Sequence, residues 1–226
     1  MSCGRFICFC DADDISEPFR LQEQYDLAIS QKKDLLFIGC NFRRIPEGST
    51  QRYTKWANNL SNKQLTLQVY TSHGPTLIAP TWFISRKLFC RMGGFRDNVR
   101  TGFPEDLEFF YRALDIDDIC LCKVNKPLVY YRYHLSCASF EVNEAVIWNM
   151  RVDRFRSHVL PYWKSFTIWN AGKQGKRFFK SLHDEEKHRV VSFCDVDEKK
   201  LRRAWLEEYD EVARVVRWKL PIVHVK

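Results

Sequence analysis

The stretch Phe6-Ile-Cys-Phe-Cys-Asp-Ala-Asp-Asp-Ile-Ser-Glu17 decides how the rest of the chain is read. The apolar run from Phe6 to Cys10 stops at three carboxylates, Asp11, Asp13 and Asp14. A continuous run of this kind predicts a strand buried on both faces, as in a parallel sheet. Acids at the carboxyl end of such a strand stand where open α/β sheets bind ligands. Two carboxylates one residue apart can converge on a hard divalent cation, which takes its other oxygens from water and phosphate. The first expectation is therefore a metal–diphosphate site. A second reading of the same residues is structural: Asp14 as a helix N-cap, closed three residues later by Glu17 in a capping box. That reading leaves Asp11, still at the strand end, unexplained. The chain also begins on a strand that needs neighbours on both sides, so an earlier part of the sheet is expected outside this sequence.

Length and charge bound the alternatives. The 226 residues suffice for one large domain or two small ones, and 45% hydrophobic content supports a real core. Lys and Arg exceed Asp and Glu by 36 to 28, a net charge of +8 that favours anionic partners. The basic residues are dispersed, and the acidic motif is the wrong sign for phosphate backbone binding, so nucleic acid is not expected as a partner. The short clusters Arg43-Arg44, Arg86-Lys87 and Lys199 to Arg203 read as solvated faces. Nine cysteines without C-x-x-C spacing argue against a zinc knuckle, and most are expected to be reduced and buried. No apolar run reaches the length of a transmembrane helix, and Met1 to Arg5 is not a signal peptide. These features predict a cytoplasmic protein, although a preceding segment would carry any targeting signal.

Beyond the acids, a helix is predicted from Ile15 to about Ser30, with Ile15, Phe19, Gln22, Tyr25 and Ile29 near one stripe. Asp34 to Cys40 reads as a strand, Asn41 to Thr50 as a loop, and Tyr53 to Leu60 as a short helix. Ser61 with Gln64 forms a capping box. Thr76 to Ile84, with Pro80 inside it, reads as a bent or edge strand. Ser85 caps a helix over Arg86 to Met92, stopped by Gly93 and Gly94, which permit positive φ. Pro104 suits the first turn of a helix running from Leu107 to Leu114. Ile119 to Val124 and Leu128 to Tyr133 read as two strands, and Asn143 to Leu160 as a helix.

From Phe166 the texture changes. A strand over Phe166 to Ala171, a glycine turn over Gly172 to Gly175, a helix over Lys176 to Leu182 and a strand over Arg189 to Cys194 lead to Asp195. Asp195 falls 20 residues after Gly175, near the spacing of a ribose-binding acid. Gly172, Gly175 and Asp195 are thus candidates for nucleotide binding, against a purely structural βαβ unit, because only two fingerprint glycines are present. Leu220 to Val225 completes a third strand.

Several pieces then fall into a family's order. Gly4 to Asp14 resembles the strand that delivers the D-x-D motif in family 2 glycosyltransferases. Gly93-Gly94-Phe95 resembles that family's glycine–phenylalanine turn. Pro104-Glu105-Asp106, with Leu107 and Phe109, resembles its Glu-Asp motif. Tyr131-Arg132-Tyr133-His134, with Ser136 and Ser139, resembles its late Arg-x-His element. The resemblance covers residues 3 to 140. Over its whole length the chain is also similar to animal members of the family classed with N-acetylglucosaminyl transfer. Its tail resembles the small Rossmann-like module preceding some sugar-nucleotide acyltransferases.

What the resemblance implies is an α/β fold. Residues 1–160 would form a truncated GT-A domain, a Rossmann-like nucleotide-diphospho-sugar transferase, and 161–226 a small Rossmann-like βαβ module, incomplete as it stands. The implied reaction is inverting, metal-assisted transfer from a UDP-sugar donor to a saccharide or other hydroxyl acceptor. Asp11 and Asp13 would hold Mn²⁺ or Mg²⁺, with Asp14 an alternative ligand and His134 completing the shell. Asp106 would be the general base and Glu105 would sit beside it. Arg132 would pair with phosphate oxygens. Gly93, Gly94 and Phe95 would shape the acceptor side, with Trp82 as a sugar-stacking surface. The family's preceding strand and helix, which bind the nucleotide base, have no counterpart in this sequence, which puts catalysis by the chain alone in doubt. Two other readings stand beside this one: a non-catalytic nucleotide-sugar or protein-binding module, and a tail that is itself the nucleotide site.

Overall fold

The computed structural model describes residues 3–96, 101–134, 136–137 and 140–225; Ser139 lies outside them. The chain divides into two compact units, residues 1–147 and 148–226, where the sequence places the division after residue 160. Both are α/β, as the sequence predicts.

The first unit holds a five-stranded sheet. Its strands are β1 (Phe6–Cys8), β2 (Ile15–Ser16), β3 (Leu36–Ile45), β4 (Phe83–Ser85) and β5 (Cys120–Arg132), in the order β1-β4-β3-β5-β2. The central pair is β3 with β5, parallel over its whole length, with register shifts around Asn41. The two strands expected between Ile119 and Tyr133 are therefore one, because β3 runs on to Ile45 and keeps pairing past Pro127. β1 pairs antiparallel with β4 and lies at the sheet edge, half-buried. That corrects the expectation of a doubly buried parallel strand: one face packs Phe6 on Phe83, and Tyr25 meets the same ring edge-on. β4 is the opposite case. It is an internal strand, fully buried, and Pro80 sits in the short 3-10 turn Ala79–Thr81 that leads into it.

Helix α1 (Arg20–Ser30) starts later than the sequence suggests, because Ile15 and Ser16 pair with β5 instead. Its buried positions are Arg20, Gln24 and Ala28, while Phe19, Tyr25 and Ile29 are exposed. The apolar stripe is thus on the outer side, and the inner side is held by polar bonds. The Arg20 guanidinium donates to Phe9 O at 2.7 Å, Ser16 Oγ at 2.9 Å and Gln24 Oε1 at 3.0 Å. Gln24 in turn donates to Thr81 O at 2.8 Å.

The remaining helices follow local signals. α2 (Gln51–Asn59) precedes α3 (Asn62–Leu67), whose Ser61–Gln64 capping box forms as expected. α4 (Arg86–Met92) is capped by Ser85 Oγ, which accepts from Leu88 N, and ends where Gly93 and Gly94 take φ of +76° and +77°. α5 (Glu105–Leu114) carries its acids in the first turn, where they favour the helix dipole. Arg112 on α5 donates to Met92 O at 2.6 Å and Gly94 O at 2.8 Å, so the glycine turn is tied to this helix. None of the nine cysteines is in a disulfide. Only Cys40, Cys122 and Cys137 are buried, fewer than expected, since Cys3, Cys10 and Cys90 lie on exposed segments.

The helix α6 (Glu144–His158) spans the division between the units. The second unit contains β6 (Phe166–Trp169), α7 (Lys173–Ser181), α8 (Asp184–Lys187), β7 (Val190–Asp195), α9 (Glu198–Leu201), β8 (Trp205–Asp210) and β9 (Val215–His224). β6, β7 and β9 are parallel, and β8 adds antiparallel to β9. The strand–helix–strand order predicted from Phe166 onward is present, but the helix starts at Lys173 with Gly172 as its N-cap, so Gly175 lies in its first turn and not in a loop. β8 was not legible, because its alternation is broken by Glu207-Glu208. Phe179, Phe193 and Ile168 fill the core beneath α7.

Gly175 is the tightest point of this unit. A Cβ there would stand 1.8 Å from Asn170 O and 3.2 Å from Ile168 Cγ2. Gly175→Ala is expected to lower stability by about 1–3 kcal/mol or more, as overpacking against backbone does. Urea unfolding of the variant against the parent chain measures this, and an unchanged midpoint would show that the start of α7 relaxes freely.

Candidate active site

The carboxylate turn that follows β1 is closed onto the end of β5. The backbone N–H of Arg132 donates to Asp14 Oδ1 at 2.7 Å, and the Arg132 Nε donates to Asp13 O at 2.8 Å. Glu17 N donates to Leu128 O at 2.9 Å just before α1. These bonds replace the capping box considered for Asp14 and Glu17. The Asp14 carboxylate faces β5, not a helix N-terminus.

His134, just beyond β5, meets Asp13: Nε2 and Oδ2 are 2.9 Å apart. The other ring nitrogen, Nδ1, is 3.0 Å from Ser136 Oγ. Both side chains of the pair are about half exposed. The hydrogen bond from His134 holds the Asp13 carboxyl below the usual carboxylate range. Asp11 behaves in the opposite way. Burial, then the charges of Asp13 and Glu105, push its carboxyl up.

Asp106 sits in the first turn of α5, its Oδ1 accepting from Leu107 N at 2.6 Å. Burial raises its pKa to about 6, and the neighbouring charges of Glu105 and Asp11 add to this. Asp11 therefore feels Glu105, and Asp106 feels Asp11. The structure thus gathers Asp11, Asp13, Glu105, Asp106, Arg132 and His134 around one region, although they come from three separate stretches of sequence. Among the described residues, no three His, Cys, Asp or Glu side chains converge into a metal-binding group by themselves. Asp11 and Asp13 are carboxylates of the kind a Mg²⁺-like ion takes in ones or twos, with the rest of its shell from water and phosphate, while His134 is a nitrogen donor bonded to Asp13.

The acceptor-side expectations fare unevenly. Gly93 and Gly94 adopt the positive φ foreseen for them. Phe95 lies against Phe109, ring centroids 4.4 Å apart, as part of an aromatic cluster. Trp82 does not offer a sugar-stacking surface. Its exposure is 0%, its Nε1 donates to Leu77 O at 2.7 Å, and Phe9, Phe37 and Phe109 pack around the ring.

In the second unit, Asp195 is spent on its own fold. Its Oδ2 accepts from Ala171 N at 2.9 Å and Lys200 Nζ at 2.8 Å, and its Oδ1 from Val196 N and Asp197 N at 2.9 and 3.0 Å. The Lys200 bond, then the backbone donors, hold this carboxyl far below the usual range. It has no oxygen left for a ribose, which corrects its reading as a nucleotide contact. The spacing of Gly172 and Gly175 is explained by packing, since both crowd Asn170.

The sequence reading missed Arg44. It is no solvated charge: its guanidinium carbon stands 4.0 Å from the Tyr131 ring centroid and within reach of Phe42, Tyr53 and Tyr133. The signal was available in the alternation Phe42-x-Arg44 facing Val129-x-Tyr131-x-Tyr133.

No family model matches the chain. Among solved structures it is similar to TarS of S. aureus, with 14% identity and a TM-score of 0.46 over 84% of this chain and 36% of that one. It is also similar to TarS 1-349 in complex with UDP-GlcNAc, with 13% identity and a TM-score of 0.44 over 84% of this chain and 61% of that one. The chain thus spans between about a third and three fifths of these structures. Among the described residues, no helix is long and apolar enough to cross a membrane.

The raised pKa of Asp106 has a consequence for stability. The folded chain holds this proton more tightly than the unfolded chain does, so its contribution is favourable at low pH and is lost as pH rises from the ordinary 3.8 through about 6. Asp106→Asn is expected to raise the melting temperature by a few degrees at pH 7.5 and to leave it nearly unchanged at pH 3.5. Thermal unfolding at the two pH values checks this; equal effects at both would exclude a buried carboxylate.

Proposed function

We propose that the chain carries the metal- and acceptor-side half of an inverting glycosyltransferase site that moves a sugar from a UDP-sugar to an acceptor hydroxyl. The observation that carries this reading is the grouping of Asp11 and Asp13 after β1 with Glu105 and Asp106 at the head of α5, closed by His134. Asp13 is hydrogen-bonded to a histidine, and Asp106 is largely withdrawn from water with its pKa raised to about 6. That division of labour suits a reaction needing both charge neutralisation and a base. The resemblance to family 2 glycosyltransferases assigns the same residues in the same order, and its animal members point to N-acetylglucosamine as the sugar.

Asp13 and His134, with Asp11 beside them, would hold Mn²⁺ or Mg²⁺. When bound, the ion supplies neutralisation of the leaving diphosphate. Arg132, anchored through Nε to Asp13 O, would pair its remaining N–H groups with phosphate oxygens. Asp106 accepts the proton of the acceptor hydroxyl as its oxygen attacks the anomeric carbon. The bond from that carbon to the diphosphate oxygen breaks on the opposite face, which inverts the centre. Desolvation, with the like charge of Glu105 added to it, keeps the base's pKa high. Asp14, turned to the Arg132 N–H, is not required as a ligand.

The reading is tested by calorimetric titration of UDP-GlcNAc and UDP into the protein, with and without Mn²⁺. Binding is expected to need the ion and to weaken by about tenfold or more in Asp13→Asn. A folded protein that binds neither under any condition overturns the donor site. For turnover, Asp106→Asn is expected to lower kcat by about a hundredfold or more. In the parent chain kcat/KM should fall as pH drops below about 6, where Asp106 takes up its proton.

A further inference from the structure

The second unit leaves one face of its sheet open. Ile168, Phe193, Leu206, Leu220 and Ile222 pack into the core with Phe179 of α7. The residues of the opposite face follow from the strand register. Trp169, Cys194 and Val223 form one row across β6, β7 and β9. Pro221, two residues before Val223, pairs with Trp205, and Tyr209, four residues further along β8, pairs with Val216. Trp169, Trp205, Tyr209, Val216 and Val223 therefore share this face, and each is between 43% and 72% exposed. Parallel strands such as β6, β7 and β9 are ordinarily covered on both faces. An apolar surface left open in this way marks a place where the protein meets something other than water.

Charge narrows what that is. Residues 148–226 carry 18 Lys and Arg against 11 Asp and Glu, a net +7, whereas residues 1–147 carry 18 against 17, a net +1. Within the open face the charges cancel: Lys219 Nζ lies 3.0 Å from Glu207 Oε1 and 5.3 Å from the Trp205 ring centroid. The cations gather at its rim, where β8 begins. Lys199, Arg202 and Arg203 are exposed there, and so is Val196 at the end of β7. Arg202 stands 3.6 Å from Glu198 in a pair that is itself about four-fifths exposed.

We propose that this face and its basic rim dock the protein on an anionic membrane surface. Trp and Tyr rings have an apolar body and a polar tip, which suits the boundary between headgroups and acyl chains. The valines enter the apolar side of that boundary, and the rim cations meet the lipid phosphates and carboxylates. Other occupants match less well. A second copy would bring a unit of net +7 against another of the same charge. Single-stranded nucleic acid stacks on aromatic rings, and Val196, Val216 and Val223 offer it none. The proposal stands on the second unit alone and does not depend on the transferase reading.

The test is co-sedimentation of the full chain with phosphatidylcholine vesicles, with and without about 30% phosphatidylserine. Binding is expected to the anionic vesicles, to weaken as salt is raised, and to be slight with phosphatidylcholine alone. Trp169→Ala with Trp205→Ala should weaken the partition by about tenfold or more. Lys199→Gln with Arg203→Gln should weaken it by about fivefold or more. Lys33→Gln with Lys63→Gln removes the same charge from exposed positions of the first unit and should leave it nearly unchanged. All six positions are exposed, so the variants are expected to keep the parental circular dichroism spectrum. No binding to anionic vesicles, parental binding by the tryptophan pair, or an equal loss in the first-unit control overturns the proposal. So does a dimer in light scattering that the tryptophan pair abolishes, which would give the face to a second copy. Binding of a single-stranded oligonucleotide that is tighter than vesicle binding and is lost with the same pair would also overturn it.

Discussion

A buried cation without a carboxylate holds the first unit together at its working end. Arg20 is 1% exposed, and its guanidinium is spent on two backbone carbonyls, a serine hydroxyl and a glutamine amide. Those acceptors flank the carboxylate turn: Phe9 enters it, Ser16 leaves it, and Trp82 O comes from the residue that precedes β4. An arginine can do this because its five donors lie in a rigid planar fork and stay charged when buried. The geometry of Asp11, Asp13 and Asp14 is therefore set from beneath by a residue that never reaches the surface. With the turn fixed, the bonds from Arg132 and His134 can close it from the other side.

This arrangement explains why the acids near the site differ from one another. Asp13 is solvent-facing and hydrogen-bonded to His134, so it stays ionised. Asp106 is half-buried at a helix start beside Glu105, and desolvation, then the charge of Glu105, holds its proton to about pH 6. Asp14 is also pushed up to about 6, burial outweighing the N–H of Arg132. Environment rather than residue type separates a ligand-like carboxylate from a base-like one. Asp195 in the second unit is the contrast: four donors converge on it, and it serves only to lock the β6 and β7 ends together.

Much of the site is legible in the amino-acid sequence. Asp11 and Asp13 stand out because a strand that stops in carboxylates has no structural need of them. Glu105, Asp106, Arg132 and His134 are found through motif order, and the chain folds them to one region. Trp82 and Asp195 mislead for one reason. Residue type and spacing suggest ligand contacts, but whether a side chain has a free surface or a free lone pair depends on what surrounds it. Arg44 reads as a surface charge for the same reason. The helix stripe on α1 fails differently: apolar periodicity shows that a helix has a distinctive face, and here polar bonds from Arg20 and Gln24 turn the other face inward.

The sequence by itself determined the local elements: the Ser61 and Ser85 caps, the Gly93–Gly94 stop, the helix that follows Pro104 and the strand–glycine–helix unit after Phe166. Each is fixed by interactions within a few residues, which a sequence displays directly. Only the tertiary structure decided that β1 is an edge strand, that β3 and β5 run together to Ile45, and that Asp13 meets His134 across 121 positions. These depend on which long-range pairings outweigh local preference, and burial and the remaining hydrogen bonds follow from that choice.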